Sequence, residues 1–284
     1  MIPNEIIYKW GVFVSLSVKA QETITFYRGS FSPCDKEDYL AVEAPLEISL
    51  KTTSEEKSIS LTMRTPGDDK ELALGYLFAE GILKSKEEIY WNNWVVEKER
   101  IFVPFKKMPE NLSSLERGTV MSSSCGVCGK SSLEGLDSLK IEKRKAKESI
   151  FSHDILYELP SKLKKIQSCF KKTGGLHGAA LVDHEGRLLV LKEDVGRHNA
   201  VDKLFGHCFM EEVETEGMIL LLSGRASYEL LQKAVRSKIS LVAAIGAPSS
   251  MAVSLAREHD ITLVGFLKEN SFNCYEGEKR ISYE

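Results

Sequence analysis

Residues 218–266 decide the fold class, and they read MILLLSGRASYELLQKAVRSKISLVAAIGAPSSMAVSLAREHDITLVGF. Three short apolar runs in this stretch alternate with two stretches of helical spacing. The apolar runs are 218–222, 239–245 and 261–266, and the helical stretches are 228–238 and 251–258. Apolar strands that are separated by helices are typical of a sheet covered by helices. The pattern therefore predicts an α/β fold.

The residues before this stretch extend the same pattern. A hairpin is expected from the apolar segments 177–183 and 188–191, and a helix is expected over 199–210. A longer helix is expected from residue 153 towards residue 170, where paired glycines follow and would end it. Because strands linked by helices run parallel and hairpin strands run antiparallel, we expect a mixed, largely parallel sheet.

The N-terminal region has a different pattern. Apolar and polar residues alternate over 12–18 and 58–63, which is typical of half-buried antiparallel strands. A turn at Pro66 and Gly67 then leads into helical spacing over 71–78. We therefore expect a β-rich lobe that contains one helix.

The composition and charge of the 284-residue chain are those of an ordinary globular protein. Hydrophobic residues make up 43% of it, charged residues make up 28%, and the formal net charge is -3. Such a chain has no general attraction to nucleic acid or to an anionic membrane. No apolar run approaches the roughly 20 residues that span a bilayer, and the N-terminus lacks the features of a secretory signal. We therefore expect a cytoplasmic protein with neither a nucleic-acid nor a membrane partner.

Three loops between a predicted strand and a predicted helix are candidate ligand sites. They are Asp194–His198, Ser223–Ser227 and Gly246–Ser250. In α/β sheets such loops form the ligand crevice, and the helices that follow present N–H groups to anions. Arg197 and Arg225 lie in two of them, and a guanidinium suits a phosphate. None of the loops has a Walker A or G-x-G-x-x-G pattern, so tight turns and helix caps without a ligand are an equal alternative.

The charged residues and histidines near these loops also have two interpretations. His177 and His198 are either structural histidines or ligand contacts. Asp194, Arg197 and Asp202 either form an internal cluster of ion pairs or leave Arg197 for a ligand.

Two of the six cysteines, Cys125 and Cys128, form a C-x-x-C pair flanked by glycines, whereas the other four are scattered. A structural zinc needs four ligands, and the chain has no second C-x-x-C. A zinc deaminase would need an H-x-E before the pair, but the first histidine is His153. A thioredoxin-like pair would follow a buried strand, whereas residues 117–124 are polar.

What remains is a thiol pair on a mobile loop. Gly126 and Gly129 would give the backbone the freedom that a sulfur carrier needs to reach both a donor and an acceptor. The basic stretch 140–147 would favour the thiolate. A second thiol could also attack a persulfide on the first and release sulfide. The pattern favours sulfur transfer, with thiol–disulfide exchange as a weaker alternative.

Several long motifs occur in one order along the chain. They are RTPGDD at 64–69, LALGYL at 72–77, CGVCG at 125–129, TGGLH at 173–177, EDVGRHNAVDK at 193–203 and SGRAS at 223–227. With these motifs the chain resembles the FdhD/NarQ family of formate dehydrogenase accessory sulfurtransferases.

The resemblance implies a sulfurtransferase that accepts sulfur from a cysteine desulfurase and passes it to the molybdenum cofactor before that cofactor enters formate dehydrogenase. Cys125 would bear the persulfide, and Cys128 would be the second cysteine of the motif. The cargo would be Mo-bis(molybdopterin guanine dinucleotide), which has GDP-like ends, and the core would be a cytidine-deaminase-like α/β fold. The alternative function is a passive chaperone for this cofactor, with a structural C-x-x-C.

The resemblance also implies a cofactor-binding segment near the C-terminus. The family pattern G-F-x-R-x-x-R-x-N-x-Y reads GFLKENSFNCY at 265–275, so Lys268 and Ser271 stand where the pattern has arginines. These replacements remove two bidentate phosphate donors. The implied contacts are Phe266, Leu267, Lys268, Glu269, Asn270 and Ser271, and the loop residues Arg225, Arg197 and His198 complete the predicted site.

We expect three parts in the chain. Residues 1–120 would form the β-rich lobe, residues 121–150 the mobile C-x-x-C loop with its basic connection, and residues 151–284 the α/β lobe that binds the cofactor. A homodimer is one expectation, because related folds often pair.

Overall fold

The computed structural model describes residues 13–14, 19–26, 34–110, 112 and 149–283. Its helices are α1 (Asp69–Ala79), α2 (His153–Ile166), α3 (Ser168–Thr173), α4 (Arg197–Glu211), α5 (Tyr228–Arg236) and α6 (Ser250–Glu258). Its strands are β1 (Phe13–Val14), β2 (Lys19–Phe26), β3 (Cys34–Ala41), β4 (Ala44–Lys51), β5 (Glu56–Arg64), β6 (Val95–Val96), β7 (Arg100–Pro104), β8 (Phe151–Ser152), β9 (His177–Val182), β10 (Leu188–Asp194), β11 (Ile219–Leu222), β12 (Leu241–Ala244), β13 (Thr262–Lys268), β14 (Ser271–Glu276) and β15 (Ile281–Ser282). None of the described helices is long and apolar enough to cross a membrane.

A seven-stranded mixed sheet is the centre of the fold, in the order β1-β10-β9-β11-β12-β13-β14. Three neighbouring pairs are parallel, namely β1 with β10, β11 with β12 and β12 with β13. The other three pairs are antiparallel. The prediction of a mixed α/β sheet is confirmed, but "largely parallel" is wrong. The antiparallel hairpin β9–β10 was expected, whereas the antiparallel pairs of β9 with β11 and of β13 with β14 were not.

The predicted elements of residues 218–266 are all present, with two differences on either side of them. The strand expected over 261–266 is β13, and two more strands, β14 and β15, follow it. The long helix expected after residue 153 is two helices, α2 and α3, which meet at Gln167. The Glu193 carboxylate accepts hydrogen bonds from the amides of Cys169 and Phe170, so it caps the second helix from across the fold.

Helices cover both faces of the large sheet. Along β11 the side chains alternate: Leu220 and Leu222 pack in the cluster of buried side chains under α4, α5 and α6, whereas Ile219 and Leu221 pack in the cluster with α2. This two-residue period explains why β11 is apolar at every position. Both of its faces are buried.

A second, four-stranded sheet in the order β5-β4-β7-β6 carries α1 and has its own apolar cluster. We call this unit the N-terminal lobe. Its helix α1 packs closely on α4 of the other lobe. A Cβ atom at Gly75 would overlap the backbone of Asp202, and one at Gly206 would overlap the backbone of Glu71. The two helices therefore approach backbone to backbone, which only glycine permits.

Strand β1 joins the N-terminal region to the large sheet. It lies in the large sheet, parallel to β10. The antiparallel arrangement expected for the N-terminal strands holds for β4 with β5, but not for β1. The boundaries proposed for the three parts of the chain, and the likeness to cytidine deaminases, stay predictions. Cys125, Cys128 and the basic stretch lie outside the described residues.

Candidate functional site

One edge of the large sheet gathers the three loops predicted to bind a ligand. Strands β10, β11, β12 and β13 run in the same direction, so their carboxyl ends meet at this edge, and β9 begins there. The amide of Gly246 donates to the carbonyl of Gly224 at 2.9 Å, and the amide of Phe266 donates to the carbonyl of Gly246 at 3.0 Å. The loops therefore form one continuous surface, which we call the loop edge.

Two glycines at the loop edge are closely packed, Gly246 against backbone and Gly224 against a side chain. A Cβ atom at Gly246 would lie 3.0 Å from the amide nitrogen of Arg225. A Cβ atom at Gly224 would lie 3.2 Å from Nδ1 of His177. The glycines of the predicted loops thus set the spacing of the site, and His177 is placed directly beside the loop that carries Arg225.

Two arginines at the loop edge have no carboxylate partner among the residues that the structure describes. Arg197 is half-buried, and its Nε is fully buried without a hydrogen-bond partner. Arg225 is exposed. Within the described part of the chain, neither makes an ion pair. A buried guanidinium nitrogen without a partner is costly, so it indicates a site that an anion completes.

The nearby carboxylates are bound to lysines instead. Asp194 lies 2.8 Å from Nζ of Lys203, and Asp202 lies 2.6 Å from Nζ of Lys233. Burial raises the pKa of Asp202, against the attraction of Lys233. Asp194 and Asp202 thus form the expected internal ion pairs, but their partners are Lys203 and Lys233 rather than Arg197.

Three helix N-termini add to the positive potential of the loop edge. α4 begins there at Arg197, α5 at Tyr228 and α6 at Ser250. A helix N-terminus carries a partial positive charge and favours anions nearby. Together with the arginines, these helices make the loop edge a surface suited to phosphate groups.

His198 has structural partners that the sequence did not reveal. Its Nε2 lies 3.3 Å from Oγ of Ser227 and 3.9 Å from the carboxylate of Glu229. The hydrogen bond from His198 lowers the pKa of Glu229 to about 2, although burial opposes this. The only signal for Glu229 was its place in the first turn of α5, where acidic residues are common. The His198 ring is therefore fixed between the loop edge and α5.

The predicted cofactor segment 265–275 forms the hairpin of β13 and β14. Phe266 is 45% exposed and has φ 51, a conformation that is rare for an aromatic residue and costs energy. Leu267 is 1% exposed and packs in the core cluster with α2, so its side chain does not face the loop edge. The residues that follow are all exposed; they are Lys268, Glu269, Asn270 and Ser271.

Three of the four scattered cysteines have described side chains. Cys169 and Cys208 are buried, whereas Cys274 is exposed on β14. Burial raises the pKa of Cys208 to about 12. Burial also raises the pKa of Cys274. The environments of Cys208 and Cys274 therefore disfavour the nucleophilic thiolate.

In a variant that lacks Cys125 and Cys128, we expect Cys208 and Cys169 to resist maleimide in the native protein and to react fully in denaturant. The reagent cannot reach a buried thiol, and burial also raises the pKa of Cys208. Mass spectrometry of the labelled peptides measures this, and the exposed Cys274 is the internal reference. Native labelling of Cys208 as fast as that of Cys274 would contradict the buried environment.

A family model gives the class of this protein. The model of the FdhD/NarQ family matches residues 41–282. The chain therefore belongs to the FdhD/NarQ family, as its motifs indicated.

Individual relatives agree with this assignment. The chain is 40% identical to a sulfur carrier protein FdhD of Sulfurisphaera tokodaii, over 87% of this chain and 92% of the relative. It is 42% identical to a sulfur carrier protein FdhD of Streptomyces avermitilis, over 86% of this chain and 89% of the relative. The fold is similar to the crystal structure of a formate dehydrogenase accessory protein from Desulfotalea psychrophila, with a TM-score of 0.71, 23% identity, and coverage of 93% of this chain and 99% of that one.

Proposed function

We propose that this protein is a sulfur carrier that takes sulfur from a cysteine desulfurase and transfers it to the molybdenum cofactor for formate dehydrogenase. Membership of the FdhD/NarQ family and the names of its relatives support the sulfur-transfer role. The observation that carries the cofactor role is the buried, unpartnered Nε of Arg197 at an edge where three helices begin. The proposal places the protein in the cytoplasm, where thiols stay reduced.

Cys125 is the proposed carrier of the sulfur. Its thiolate attacks the outer sulfur of the desulfurase persulfide, which leaves a persulfide on Cys125 and a thiolate on the desulfurase. Cys128 then attacks the inner sulfur of Cys125, so that a Cys125–Cys128 disulfide forms and hydrosulfide leaves for the acceptor. A cellular dithiol reduces the disulfide and restores the carrier. The released sulfur has the reduced state that a metal ligand requires.

The cargo is Mo-bis(molybdopterin guanine dinucleotide), and the loop edge fits its phosphates. A pyrophosphate provides acceptor oxygens for the Arg197 and Arg225 guanidiniums and for the amides at the helix N-termini. The exposed ring of Phe266 offers a flat surface for a guanine. Lys268 provides a single point charge where the family pattern has a guanidinium fork, so we expect a weaker contact there.

The test of the sulfur-transfer step is labelled-sulfur transfer from a desulfurase that is supplied with radiolabelled cysteine. With Cys125→Ala, we expect label on the protein to fall to the background of a sample without desulfurase, because two of the three thiols described in full, Cys169 and Cys208, are buried, and burial raises the pKa of the third, Cys274. Cys274→Ala is the matched control and should keep full label. Unchanged labelling of Cys125→Ala would remove this residue from the proposed route.

A passive cofactor chaperone is the alternative, since the loop edge can bind cofactor without any thiol. Replacing both Cys125 and Cys128 separates the two functions. A sulfur carrier should lose the ability to activate formate dehydrogenase, whereas a chaperone should retain it. Cofactor binding by the double variant should be normal in either case.

Arg225→Ala is expected to weaken GDP binding about tenfold, because one charge-assisted hydrogen-bonded contact is worth 1.5 to 3 kcal/mol, roughly. Stability should change little, since Arg225 is exposed and has no ion pair among the described residues. Isothermal titration calorimetry measures the affinity. Arg187→Ala is the control, because Arg187 lies in the hairpin turn at the opposite edge of the sheet. Equal GDP affinity of the wild type and Arg225→Ala would exclude Arg225 from the site.

A further inference from the structure

Among the described residues, His177 is the one histidine at the loop edge whose ring has no hydrogen bond, whereas the ring of His198 contacts Ser227 and Glu229. His177 is the first residue of β9 and lies opposite Asp194 of β10. Its Nδ1 lies beside Gly224, next to Arg225. An imidazole in this position would face any anion that binds between the arginines.

The groups around His177 disfavour its charged form. Burial lowers its pKa most, and the positive charges of Arg197, His198 and Arg225 lower it further. The negative charge of Asp194 opposes this.

The carboxylate of Asp194 already accepts hydrogen bonds from other groups, so it stabilises a charged His177 ring only weakly. Its oxygens accept from the amides of Thr65 and Gly196, from Nδ2 of Asn199 and from Nζ of Lys203. At neutral pH the free protein therefore holds His177 as the neutral imidazole.

We propose that a phosphate ester at the loop edge binds together with a proton, which His177 takes up, so that the cargo is held more tightly as the pH falls. This inference rests on the proposed function of the loop edge as the cofactor-phosphate site. A bound dianion would neutralise the arginines that repel the proton and would itself attract it. The bound state then gains a hydrogen bond from the imidazolium to a phosphate oxygen.

The sign of the linkage follows from this arrangement. Because His177 binds its proton more tightly in the complex than in the free protein, binding is favoured at low pH and weakens as the pH rises through the pKa of the complex. At pH 7 we expect uptake of about half a proton per GDP. The dissociation constant should then rise about twofold between pH 7 and pH 8, because the uptake falls towards zero over this interval. The GDP phosphate, with a second pKa of about 6, is largely ionised over this range and contributes little.

The test is calorimetric titration of the full chain with GDP at pH 7, in two buffers that differ in ionisation enthalpy, which gives the number of protons taken up. In His177→Gln we expect this number to fall by more than half. His184→Gln is the matched control, because His184 lies in the exposed turn at the other edge of the sheet, and its proton number should equal that of the wild type. NMR titration of the His177 ring in the wild type, with and without GDP, measures its protonation directly. This measurement does not depend on whether His177→Gln folds.

Each outcome decides the inference. Wild-type protein that binds GDP without proton uptake would overturn it and leave the proposed function intact. A proton number that survives in His177→Gln would overturn the assignment to this residue. Protein that does not bind GDP at all would overturn the inference together with the proposed phosphate site.

Discussion

Replacing Asp194 with alanine is expected to lower the free energy of unfolding by about 4 kcal/mol. Asp194 is fully buried, and its partner Lys203 is 1% exposed. Without the carboxylate, the Lys203 ammonium stays buried without its counter-charge, and the amides of Thr65 and Gly196 lose their acceptor. Urea unfolding followed by circular dichroism measures the change. The melting temperature should fall by roughly 10 °C.

The double variant Asp194→Ala/Lys203→Met shows whether the buried charge is the cause. It removes both charges, so we expect it to be more stable than the single variant Asp194→Ala. The exposed pair of Lys107 and Glu110 is the control for ion pairs in general, and Lys107→Ala should cause no measurable change. A wild-type unfolding curve for Asp194→Ala would show that this carboxylate does not hold the lobes together.

Replacing Gly206 with alanine is expected to destabilise the protein by about 3 kcal/mol or more. Alanine is the better helix former by about 1 kcal/mol, so propensity alone would favour the variant. The added methyl group, however, would overlap the backbone of Glu71 on α1. Backbone atoms cannot rotate away as a side chain can, so α1 and α4 must separate. The free energy lost from the helix contact then exceeds the free energy gained from the higher helix propensity of alanine.

The unfolding free energies of Gly206→Ala and Gly75→Ala should fall together, because the two glycines lie in the same helix contact. Glu211→Ala is the matched control on the same helix, since Glu211 is exposed and its replacement adds no contact. It should be as stable as the wild type. Stability of Gly206→Ala equal to that of the control would mean that α1 and α4 are not in backbone contact in solution.

Local periodicity predicted the elements of the α/β region closely. The helix expected over 228–238 is Tyr228–Arg236, and the one expected over 251–258 is Ser250–Glu258. Periodicity succeeds there because apolar residues occur at the positions that each helix or strand buries. It missed β14, none of whose residues is fully buried, so that they carry no clear apolar pattern. It also missed the break at Gln167, because the Glu193 carboxylate that caps α3 comes from a distant strand.

The position of the site could be predicted from the sequence, but the ion pairs within it could not. Glycine, serine and arginine after each strand were sufficient to place the three loops at one edge. The sequence could not show that Lys203 and Lys233 take the nearby carboxylates and leave Arg197 unpaired, since both arrangements use the same residue types. It could not show the environment of Leu267 either, because a hairpin alternates its faces and the family pattern does not report which side a residue occupies.

Strand β1 has a consequence for how such a protein can change during evolution. Residues 13–14 lie against β10, which belongs to the second half of the sequence. Two relatives could therefore not exchange their halves at a simple crossover point, because the large sheet is built mostly from the second half and takes its edge strand β1 from the first. A recombinant would have to inherit β1 and β10 from the same parent, together with the glycines that join α1 to α4. Selection on this family is thus expected to treat the two lobes as a single inherited unit.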